Sequence, residues 1–315
     1  MLDDVSPDMY SAYGQPNAAQ TPNVDKLAER GVMFKTCYAS AMCGPSRVEI
    51  MTGLYGTTTG VTQNGLWAGN SRTDVYKDHQ AFGKLLKDKG YATAIAGKWH
   101  AGMQMPYEKE IGFEEYCLWE GLKEINKLPG KPKFNGLMED EKTTSRYWHP
   151  GVVKNGKLLN TKPTDYGPNI FADFIMDFME RKTKSGQPFL AYWPSVAPHG
   201  TRTGCPTNPD RGEVGDLGGN QSSEENKTRF KSLNEYIDGL VGKIVSGLYC
   251  ILFITSCYSF FLYCQSVYFS LFLPIFGIII QLGFIFLSKN SDSVRQAMTF
   301  EHGMERLMHL PLYWD

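Results

Sequence analysis

Short apolar runs alternate with amphipathic segments along most of the chain, and this pattern predicts alternating strands and helices. Residues 21–31 carry a capping threonine, a proline at the first helical position, an apolar stripe and a final glycine, which predicts a helix. A strand is expected at residues 32–34. Residues 78–89 have helical periodicity, and the apolar run 91–96 after them predicts a buried strand. Such alternation favours a largely parallel sheet with helices packed on it.

The same pattern returns later in the chain. Apolar side chains at helical spacing between residues 164 and 184 predict a helix that packs on the sheet: Phe171, Phe174, Ile175, Phe178 and Met179. Residues 188–193 predict the next strand. Ser222 and Glu225 have the spacing of a capping box, before an amphipathic helix that extends to residue 244.

Residues 103–163 are polar and lack long periodic runs, so loops are expected there. Loops on a rigid scaffold often carry specificity. Aromatic and imidazole side chains of this stretch could line a substrate mouth: Trp119, Tyr147, Trp148 and His149. A small core formed within the loops is the better interpretation of them.

Composition and charge exclude some classes of function. The chain of 315 residues has 32 lysines and arginines against 33 aspartates and glutamates, a formal net charge of -1, so no nucleic-acid partner is expected. Any anion site must therefore be local. The seven cysteines form no CxxC pair and no metal-ligand spacing, which indicates neither a zinc site nor a disulfide framework. No signal peptide is visible, and a shortened N-terminal strand is expected.

The sequence Cys43-Gly44-Pro45-Ser46-Arg47 holds the candidate nucleophile. Glycine and proline indicate a bend, and the following residues have helical spacing, so the thiol is expected near the N-terminus of a helix. The first amide groups of a helix have no partner within it and attract anions. Because a lone cysteine beside a turn is more often a buried structural residue, the interpretation depends on the other motifs.

Polar residues also follow two predicted strands. Gly97-Lys98-Trp99-His100 comes directly after the strand at residues 91–96, and His199 follows the strand at residues 188–193. In α/β proteins, ligands bind at the edge where such strands end. Lys98 offers a cation to an anion, and the histidines offer acid and base groups near neutral pH.

The first residues add two carboxylates. Asp3 and Asp4 are adjacent, and adjacent carboxylates at the end of a strand are costly to hold together without a cation. Two acids alone are equally consistent with a solvated N-terminal tail. Hard oxygen ligands of this kind suit a divalent metal ion.

These motifs, in this order, resemble those of the sulfatase family from Asp3 to about residue 246. The resemblance implies an α/β fold of the alkaline-phosphatase-like sandwich type, with a mostly parallel central sheet and helices on both faces. It also implies hydrolysis of sulfate esters. In sulfatases, Cys-x-Pro-Ser-Arg directs oxidation of the cysteine to formylglycine. One hydroxyl of the hydrated aldehyde attacks sulfur, and the other later expels sulfate.

The resemblance assigns a catalytic role to each matching residue. Cys43, as formylglycine, is the expected nucleophile, and Arg47 and Lys98 are expected to hold the sulfate. His100 is expected to hydrogen-bond the formylglycine hydroxyl. His199, which stands in a matching Pro-His context, is expected to protonate the leaving alcohol.

Cofactors and partners also follow from the resemblance. Asp3, Asp4 and the group at Cys43 are expected to bind Ca²⁺, or Mg²⁺ in its place. The expected partners are a small-molecule or carbohydrate sulfate ester and a formylglycine-generating enzyme. The resemblance implies an exported, lysosomal or periplasmic protein, although the sequence itself leaves the compartment open.

The pattern breaks after residue 248. Residues 249–288 contain no aspartate, glutamate, lysine or arginine, where the resemblance calls for a strand ending in Asp-Asn or Asp-His. Residues 251–256 as this strand would place Cys257 at the metal site. Residues 284–288 would place Lys289 and Asn290 there instead, with Asn290 as the ligand. Neither alternative supplies the aspartate.

Three interpretations of residues 249–288 stay open: an insertion, a membrane segment, and an intron translated in frame. The expected organisation is a catalytic domain at 1–248, this apolar run, and a remnant of the catalytic domain at 289–315 without the C-terminal subdomain. Gln296 falls where the resemblance calls for a second sulfate-binding lysine. A catalytically defective sulfatase-like chain, a phosphatase or phosphonate hydrolase of the same fold, and a membrane-anchored binding protein are therefore the alternative functions.

Overall fold

The computed structural model of the chain describes residues 1–64, 75–102, 104–119, 146–199, 204–208 and 224–267. Contacts divide the chain into two units, Met1–Ile251 and Leu252–Asp315. The sheet and all the site residues described below belong to the first unit. Of the second unit, the described part is helical backbone at residues 252–267.

A five-stranded sheet lies at the centre of the first unit, in the order β4-β3-β2-β1-β5. The strands are β1 (Ala92–Lys98), β2 (Glu115–Trp119), β3 (Val152–Lys154), β4 (Lys157–Leu158) and β5 (Phe189–Tyr192). β1 pairs in parallel with both β2 and β5, whereas β2–β3 and β3–β4 are antiparallel. The parallel pairing brings the carboxyl ends of β1 and β5 to the same edge of the sheet.

The helices that the structure describes are α1 (Pro22–Arg30), α2 (Cys43–Thr52), α3 (Gly56–Thr59), α4 (Val75–Asp78), α5 (Phe82–Asp88), α6 (Gly167–Lys184) and α7 (Glu224–Val267). Single 3₁₀ turns lie at Pro7–Met9 and Ser11–Tyr13. The predicted helix at residues 21–31 is confirmed as α1, with proline in its first turn. The predicted helix at residues 78–89 is only partly right, because α4 and α5 are separate.

Helices pack on both faces of the sheet because successive side chains of β1 point to opposite faces. Ala94 lies in a buried cluster with Phe171 of α6. The next residue, Ile95, lies in a second cluster with Val48 of α2. β1 is buried at every position, which explains why its sequence is mostly apolar rather than alternating.

Two predicted strands are wrong. Residues 32–34 form no strand, and Val32 and Phe34 are 81% and 57% exposed. A short apolar run does not by itself distinguish a strand from a surface segment. Residues 251–256 lie within α7, so the alternative that placed Cys257 at the end of a strand is also wrong. Because no glycine or proline interrupts residues 248–267, the helix simply continues.

The expectation of loops over residues 103–163 is wrong for β2, β3 and β4, which are too short to show periodicity. The small loop core expected there is also wrong. Tyr147 and Trp148 belong to the main cluster beneath α6 and are 0% and 7% exposed. These aromatic side chains therefore fix the segment that carries them to the body of the domain.

Among the residues that the structure describes, no helix combines the length and the apolarity that crossing a bilayer requires. Residues 268–288 lie outside the described residues, as do Asn290 and Gln296. The membrane and gene-model hypotheses, and the domain boundaries, stay predictions.

Candidate active site

The candidate nucleophile is the first residue of α2, as the sequence predicts. The backbone of Met42 is extended, and the helix starts at Cys43. Ser46 donates hydrogen bonds from its hydroxyl to the carbonyl oxygens of Ser40 (2.9 Å) and Met42 (3.0 Å), and this fixes the bend before the helix. Gly44 to Val48 are buried, while Cys43 is half-buried. The thiol is therefore the part of this turn that remains accessible.

Side chains from two segments surround the Cys43 sulfur. His100 Nδ1 lies 3.2 Å from Sγ, and Lys98 Nζ lies 3.7 Å from it. Asn64 Nδ2 is 3.6 Å from the sulfur, and Asn64 Oδ1 accepts a hydrogen bond of 3.0 Å from the first-turn amide of Gly44. Sequence reasoning missed Asn64, because a single asparagine in a turn carries no chemical signature.

A buried ionic cluster lies beside the sulfur. Asp3 accepts a 2.7 Å salt bridge from Lys98 Nζ at Oδ2, and Arg47 Nη2 lies 3.2 Å from its Oδ1. Arg47 Nη1 also donates to the carbonyl oxygens of Lys98 and Trp99. Asp3, Arg47 and Lys98 are 2%, 1% and 5% exposed. Their charges therefore act with little screening by solvent.

The pKa values in this cluster follow from burial and mutual charge. Burial acts to raise the pKa of Asp3, but the charges of Lys98 and Arg47 outweigh it, and the pKa is lowered. Burial lowers the pKa of Lys98, which the carboxylate of Asp3 opposes. Each charge of the Asp3–Lys98 pair thus stabilises the other.

The backbone after β1 aims Lys98 and His100. Gly97 has φ 124°, and a Cβ atom there would lie 2.0 Å from the carbonyl oxygen of Pro194, so only glycine fits. Lys98 N donates 2.8 Å to that same oxygen. His100 itself has φ 47°. Burial lowers the pKa of His100 to about 4, and Lys98 and Arg47 act in the same direction, so the imidazole is neutral at pH 7.

His199 reaches the same region from the segment after β5. Asp3 N donates 3.1 Å to the carbonyl oxygen of Ala197, and Asp3 forms a parallel bridge with Pro198. Burial lowers the pKa of His199, with the charges of Arg146 and Lys98 acting in the same direction. His199 therefore lies within electrostatic reach of the buried cluster, and the structure gives no direct bond from it to Cys43.

Arg146 is a third cation of the site that sequence reasoning missed. It is 8% exposed, its guanidinium carbon lies 4.6 Å from the ring centroid of Trp119, and its Nη1 lies 4.0 Å from Asp3 Oδ2. It precedes the buried Tyr147 and Trp148 in a stretch expected to be loop. The neighbouring aromatic residues Tyr147 and Trp148 were a sign in the sequence that this segment packs against the domain, although they did not indicate a role for Arg146.

The expected metal ion does not fit the described residues alone. Calcium takes six to eight oxygen ligands, yet both oxygens of Asp3 face basic side chains and Asp4 is exposed with φ 68°. Within the described ranges, no group of three histidine, cysteine, aspartate or glutamate side chains could hold a metal ion. Asn290 lies outside them. Metal binding by Asp3, Asp4, Cys43 and Asn290 stays a prediction.

The structure thus brings five of the predicted site residues into direct or nearest-neighbour contact: Asp3, Cys43, Arg47, Lys98 and His100. His199 stands next to them through Pro198, and Asp4 lies at the exposed margin. The buried charges of this site that the structure describes are three cations and the carboxylate of Asp3. An excess of positive charge beside a nucleophile suits attack on an anionic substrate.

Comparisons with known proteins agree with this chemistry. The chain is 32% identical over 200 residues to an N-acetylglucosamine-6-O-sulfatase of Bacteroides thetaiotaomicron, covering 63% of this chain and 30% of the relative. It is 27% identical over 262 residues to an N-acetylgalactosamine-6-sulfatase of Canis lupus familiaris, covering 79% of this chain and 45% of the relative. The chain therefore spans less than half the length of these curated relatives.

Solved structures show the fold. The crystal structure of Ps i-CgsB is 26% identical, with a TM-score of 0.60, and the match covers 80% of this chain and 54% of that one. The PsFucS1 sulfatase from Pseudoalteromonas sp. is 20% identical, with a TM-score of 0.58 and coverage of 80% and 51%. The alkaline-phosphatase-like α/β fold expected from the motifs is confirmed, with a mixed sheet. The family model of the sulfatases matches residues 1–249, well over half of the chain, and the protein therefore belongs to the sulfatase family.

Proposed function

We propose that this protein hydrolyses sulfate esters of carbohydrates, with Cys43 converted to formylglycine as the nucleophile. The observation that carries the proposal is the position of the Cys43 sulfur, 3.2 Å from His100 Nδ1 and 3.7 Å from Lys98 Nζ, at the N-terminus of a helix. The two curated relatives are named as sulfatases of amino sugars, which supports a carbohydrate substrate.

Conversion of Cys43 requires an external enzyme. In this step a formylglycine-generating enzyme oxidises the side chain with molecular oxygen while two further thiols act as the reductant, and the products are the aldehyde, hydrogen sulfide, the disulfide of the two thiols and water. When hydrated, the group at position 43 would attack the ester sulfur through one hydroxyl and release sulfate through the other. Cys43 is half-buried in the folded chain, so the modification is expected before α2 completes its folding.

Arg47 and Lys98 hold the sulfuryl oxygens in this proposal. Arg47 is fixed by two backbone carbonyls and by Asp3, and Lys98 is fixed by Asp3, so neither cation must reorganise when charge develops on the substrate. Preorganised charge of this kind is usually the largest contribution to rate. Loss of one such donor typically lowers the turnover rate by about a hundredfold to a thousandfold.

The two histidines move protons. His100, neutral because burial lowers its pKa to about 4, can accept a proton from a hydroxyl at position 43. His199 must give a proton to the leaving alcohol, although burial, Arg146 and Lys98 lower its pKa. A bound sulfate ester brings a negative charge that opposes those two cations and raises the pKa of His199. Binding of the substrate therefore favours the protonated form of His199.

No step of this mechanism passes through a metal ion. The described residues supply Asp3 and Asp4 without a complete ligand set. Binding of Ca²⁺ or Mg²⁺ by this chain stays a prediction, because Asn290 lies outside the described residues.

Sulfate release from a carbohydrate sulfate and from 4-nitrophenyl sulfate tests the proposal. The chain is produced together with a formylglycine-generating enzyme, as wild type, Cys43→Ala and Cys37→Ala. Cys37 is an exposed free cysteine of the same region and serves as the matched control. We expect release by the wild type and by Cys37→Ala, and none by Cys43→Ala.

Three results would contradict the proposal. Equal release by Cys43→Ala and the wild type would exclude Cys43 as the nucleophile. Absence of release by a wild-type chain that carries formylglycine would favour the alternative of a defective sulfatase-like protein. Preferential cleavage of 4-nitrophenyl phosphate would indicate a phosphatase of the same fold.

A further inference from the structure

We propose that Asn64 is a further catalytic residue of this site, and that its side-chain amide donates a hydrogen bond to the oxygen-bearing group formed at position 43. The inference deepens the proposed function, because it rests on the conversion of Cys43 to formylglycine. It adds a neutral hydrogen-bond donor to the cations and histidines of the site.

The backbone that carries Asn64 is anchored to α2. Asn64 N donates 3.3 Å to the sulfur of Met42, the residue directly before the helix. Three residues earlier, Val61 lies in the same buried cluster as Val48 of α2. The segment is therefore held against the helix at its start and along its buried face, so the side chain of Asn64 leaves a fixed backbone.

The first turn of α2 decides which way the Asn64 amide faces. Gly44 N donates 3.0 Å to Asn64 Oδ1. Because an N–H group can donate only to an acceptor, the oxygen faces Gly44, and the two N–H groups of Nδ2 serve other partners. Nδ2 lies 3.6 Å from the Cys43 sulfur, whereas Oδ1 lies 3.8 Å from it. The donor end of the amide is thus the end closer to the reacting group.

The group at position 43 needs such a donor during the reaction. Hydrated formylglycine carries two hydroxyl groups, and the one that attacks gives its proton to His100 as its oxygen bonds to the ester sulfur and the bond from sulfur to the alcohol oxygen breaks. Negative charge therefore develops on the attacking oxygen. Lys98 Nζ, 3.7 Å from Cys43 Sγ, is shared with Asp3 at 2.7 Å. A preorganised amide beside it lowers the energy of that charge further.

Substitutions at Asn64 separate its two hydrogen bonds. Asn64→Asp keeps an oxygen that accepts the Gly44 amide and loses the donor, whereas Asn64→Ala loses both. Asn155 is the matched control, because it is also an exposed asparagine whose Oδ1 accepts a backbone amide, that of Tyr116 at 2.7 Å. It lies in the turn between β3 and β4. The converted chain is assayed with 4-nitrophenyl sulfate as wild type, Asn64→Ala, Asn64→Asp and Asn155→Asp.

Both Asn64 variants should lose turnover. We expect kcat to fall about tenfold to a hundredfold, the loss typical of one hydrogen bond to a charged group. In Asn64→Ala, KM and the affinity for inorganic sulfate, measured by calorimetric titration, should stay close to the wild type, because the amide faces the nucleophile. The melting temperature of Asn64→Asp should also stay close to the wild type, since a carboxylate accepts the amide of a first helical turn. Asn155→Asp should keep the wild-type kcat.

Wild-type kcat in either Asn64 variant would overturn the inference. If Asn64→Asp alone kept it, Asn64 would act only by fixing the start of α2. If Asn64→Ala alone kept it, the effect of Asn64→Asp would come from the added negative charge.

The side-chain amide signal of Asn64 gives a readout that needs no turnover. Chains labelled with ¹⁵N-asparagine are compared by NMR in the converted form and as Cys43→Ala, and Asn64→Asp identifies the signal by its loss. We expect one amide proton of Asn64 to lie further downfield in the converted chain, and the Asn155 signal to be the same in both. An Asn64 signal that does not change would overturn the inference.

The two readouts distinguish this inference from the proposed function. If the wild type releases sulfate and the Asn64 variants keep its kcat, the inference fails and the proposed function stands. If the Asn64 signal responds to conversion of Cys43 but no form of the chain releases sulfate from an ester, the proposed function fails and the inference stands.

Discussion

The two sides of the candidate site are built in different ways. The nucleophile side, comprising Cys43, Arg47 and Asn64, comes from the start of α2 and the loop after α3, and its side chains are joined by direct bonds to their neighbours. The acid side, comprising Arg146, Tyr147 and His199, comes from segments about fifty residues apart that are held together through backbone carbonyls and a buried aromatic ring. Local sequence therefore specifies the first side, and tertiary packing specifies the second.

Asp3 lies between the two sides, and its loss is expected to have the largest effect. Asp3→Asn keeps the shape but removes the carboxylate that Arg47 and Lys98 contact in the buried cluster. We expect the free energy of unfolding to fall by about 3–5 kcal/mol, as for breaking a buried ion pair. Urea denaturation monitored by circular dichroism measures it.

Asp88→Asn is the control for Asp3→Asn, because Asp88 pairs with Lys84 on the surface. Asp88→Asn should lower the free energy of unfolding by less than about 1 kcal/mol. Equal effects of the two substitutions would show that the buried cluster contributes no more than a surface pair.

Two glycines allow the sides to be disturbed separately. Gly97→Ala introduces a Cβ atom 2.0 Å from the Pro194 carbonyl at φ 124°, next to Lys98, and Gly167→Ala introduces one 2.2 Å from the Arg146 carbonyl. We expect each to lower the free energy of unfolding by about 3 kcal/mol, from steric overlap at both positions and, at Gly97, also from backbone strain. Gly97→Ala should weaken sulfate binding more than Gly167→Ala does. Gly97 lies next to Lys98, and Lys98 is closer to Asp3 than Arg146 is.

Gly90→Ala provides the control for the glycine substitutions. It has φ 87° but no atom within 4 Å of the added Cβ, so it reports conformational strain alone. If Gly90→Ala lowered the free energy of unfolding as much as Gly97→Ala, the steric explanation would be contradicted.

The pH dependence of stability tests the burial of His100, which contacts the nucleophile. Burial lowers the pKa of His100 to about 4 in the folded chain, from 6.5 in the unfolded chain. Between these values the unfolded chain binds more protons, so the free energy of unfolding rises with pH. The contribution of neutral His100 to the free energy of unfolding is complete above about pH 6.5 and is lost as the pH falls through about 4.

His100→Asn is the variant that measures this contribution. Asparagine tolerates the left-handed backbone at φ 47° and does not titrate. We expect a weaker loss of stability on acidification than in the wild type, with the remainder due to His199 and the carboxylates. Identical urea midpoints for both chains across this pH range would contradict the lowered pKa.

The smallest expected effect concerns the acid side alone. Tyr147→Phe removes the hydroxyl that donates to the His199 carbonyl and keeps the ring in the core. We expect a loss of about 1 kcal/mol in stability, as for one neutral hydrogen bond. The kcat for a substrate with a poor leaving group should fall more than that for 4-nitrophenyl sulfate, because only the former needs the acid. Equal changes for both substrates would indicate that Tyr147 does not position His199.

Most groups around the nucleophile, with the exception of Asn64, could be predicted from the sequence because they lie in short motifs along the chain. Cys43 and Arg47 are separated by one helical turn, and Lys98 and His100 lie at and just after the end of a strand that is buried throughout. The fold class followed from the same motifs and from the alternation around them. Helix α1 was predictable because proline and glycine mark its ends.

The remaining features could not be read because they depend on distant contacts. Arg146 becomes a site residue only when α6 and the His199 segment pack against it, and no periodicity accompanies β2 to β4 around it. Asn64 acquires its role by accepting the amide of Gly44. The helical continuation of α7 through residues 251–256 is a different case. The local sequence has no helix-breaking residue there, and the expectation of a strand came from the family resemblance.

Conversion of Cys43 is most directly tested by mass spectrometry of the peptide that contains it, after expression with a formylglycine-generating enzyme. We predict an aldehyde in place of the thiol, which reacts with a hydrazide probe, and an unmodified Cys37 in the neighbouring sequence. An intact thiol at Cys43, in a preparation in which another sulfatase is fully converted, would contradict the account.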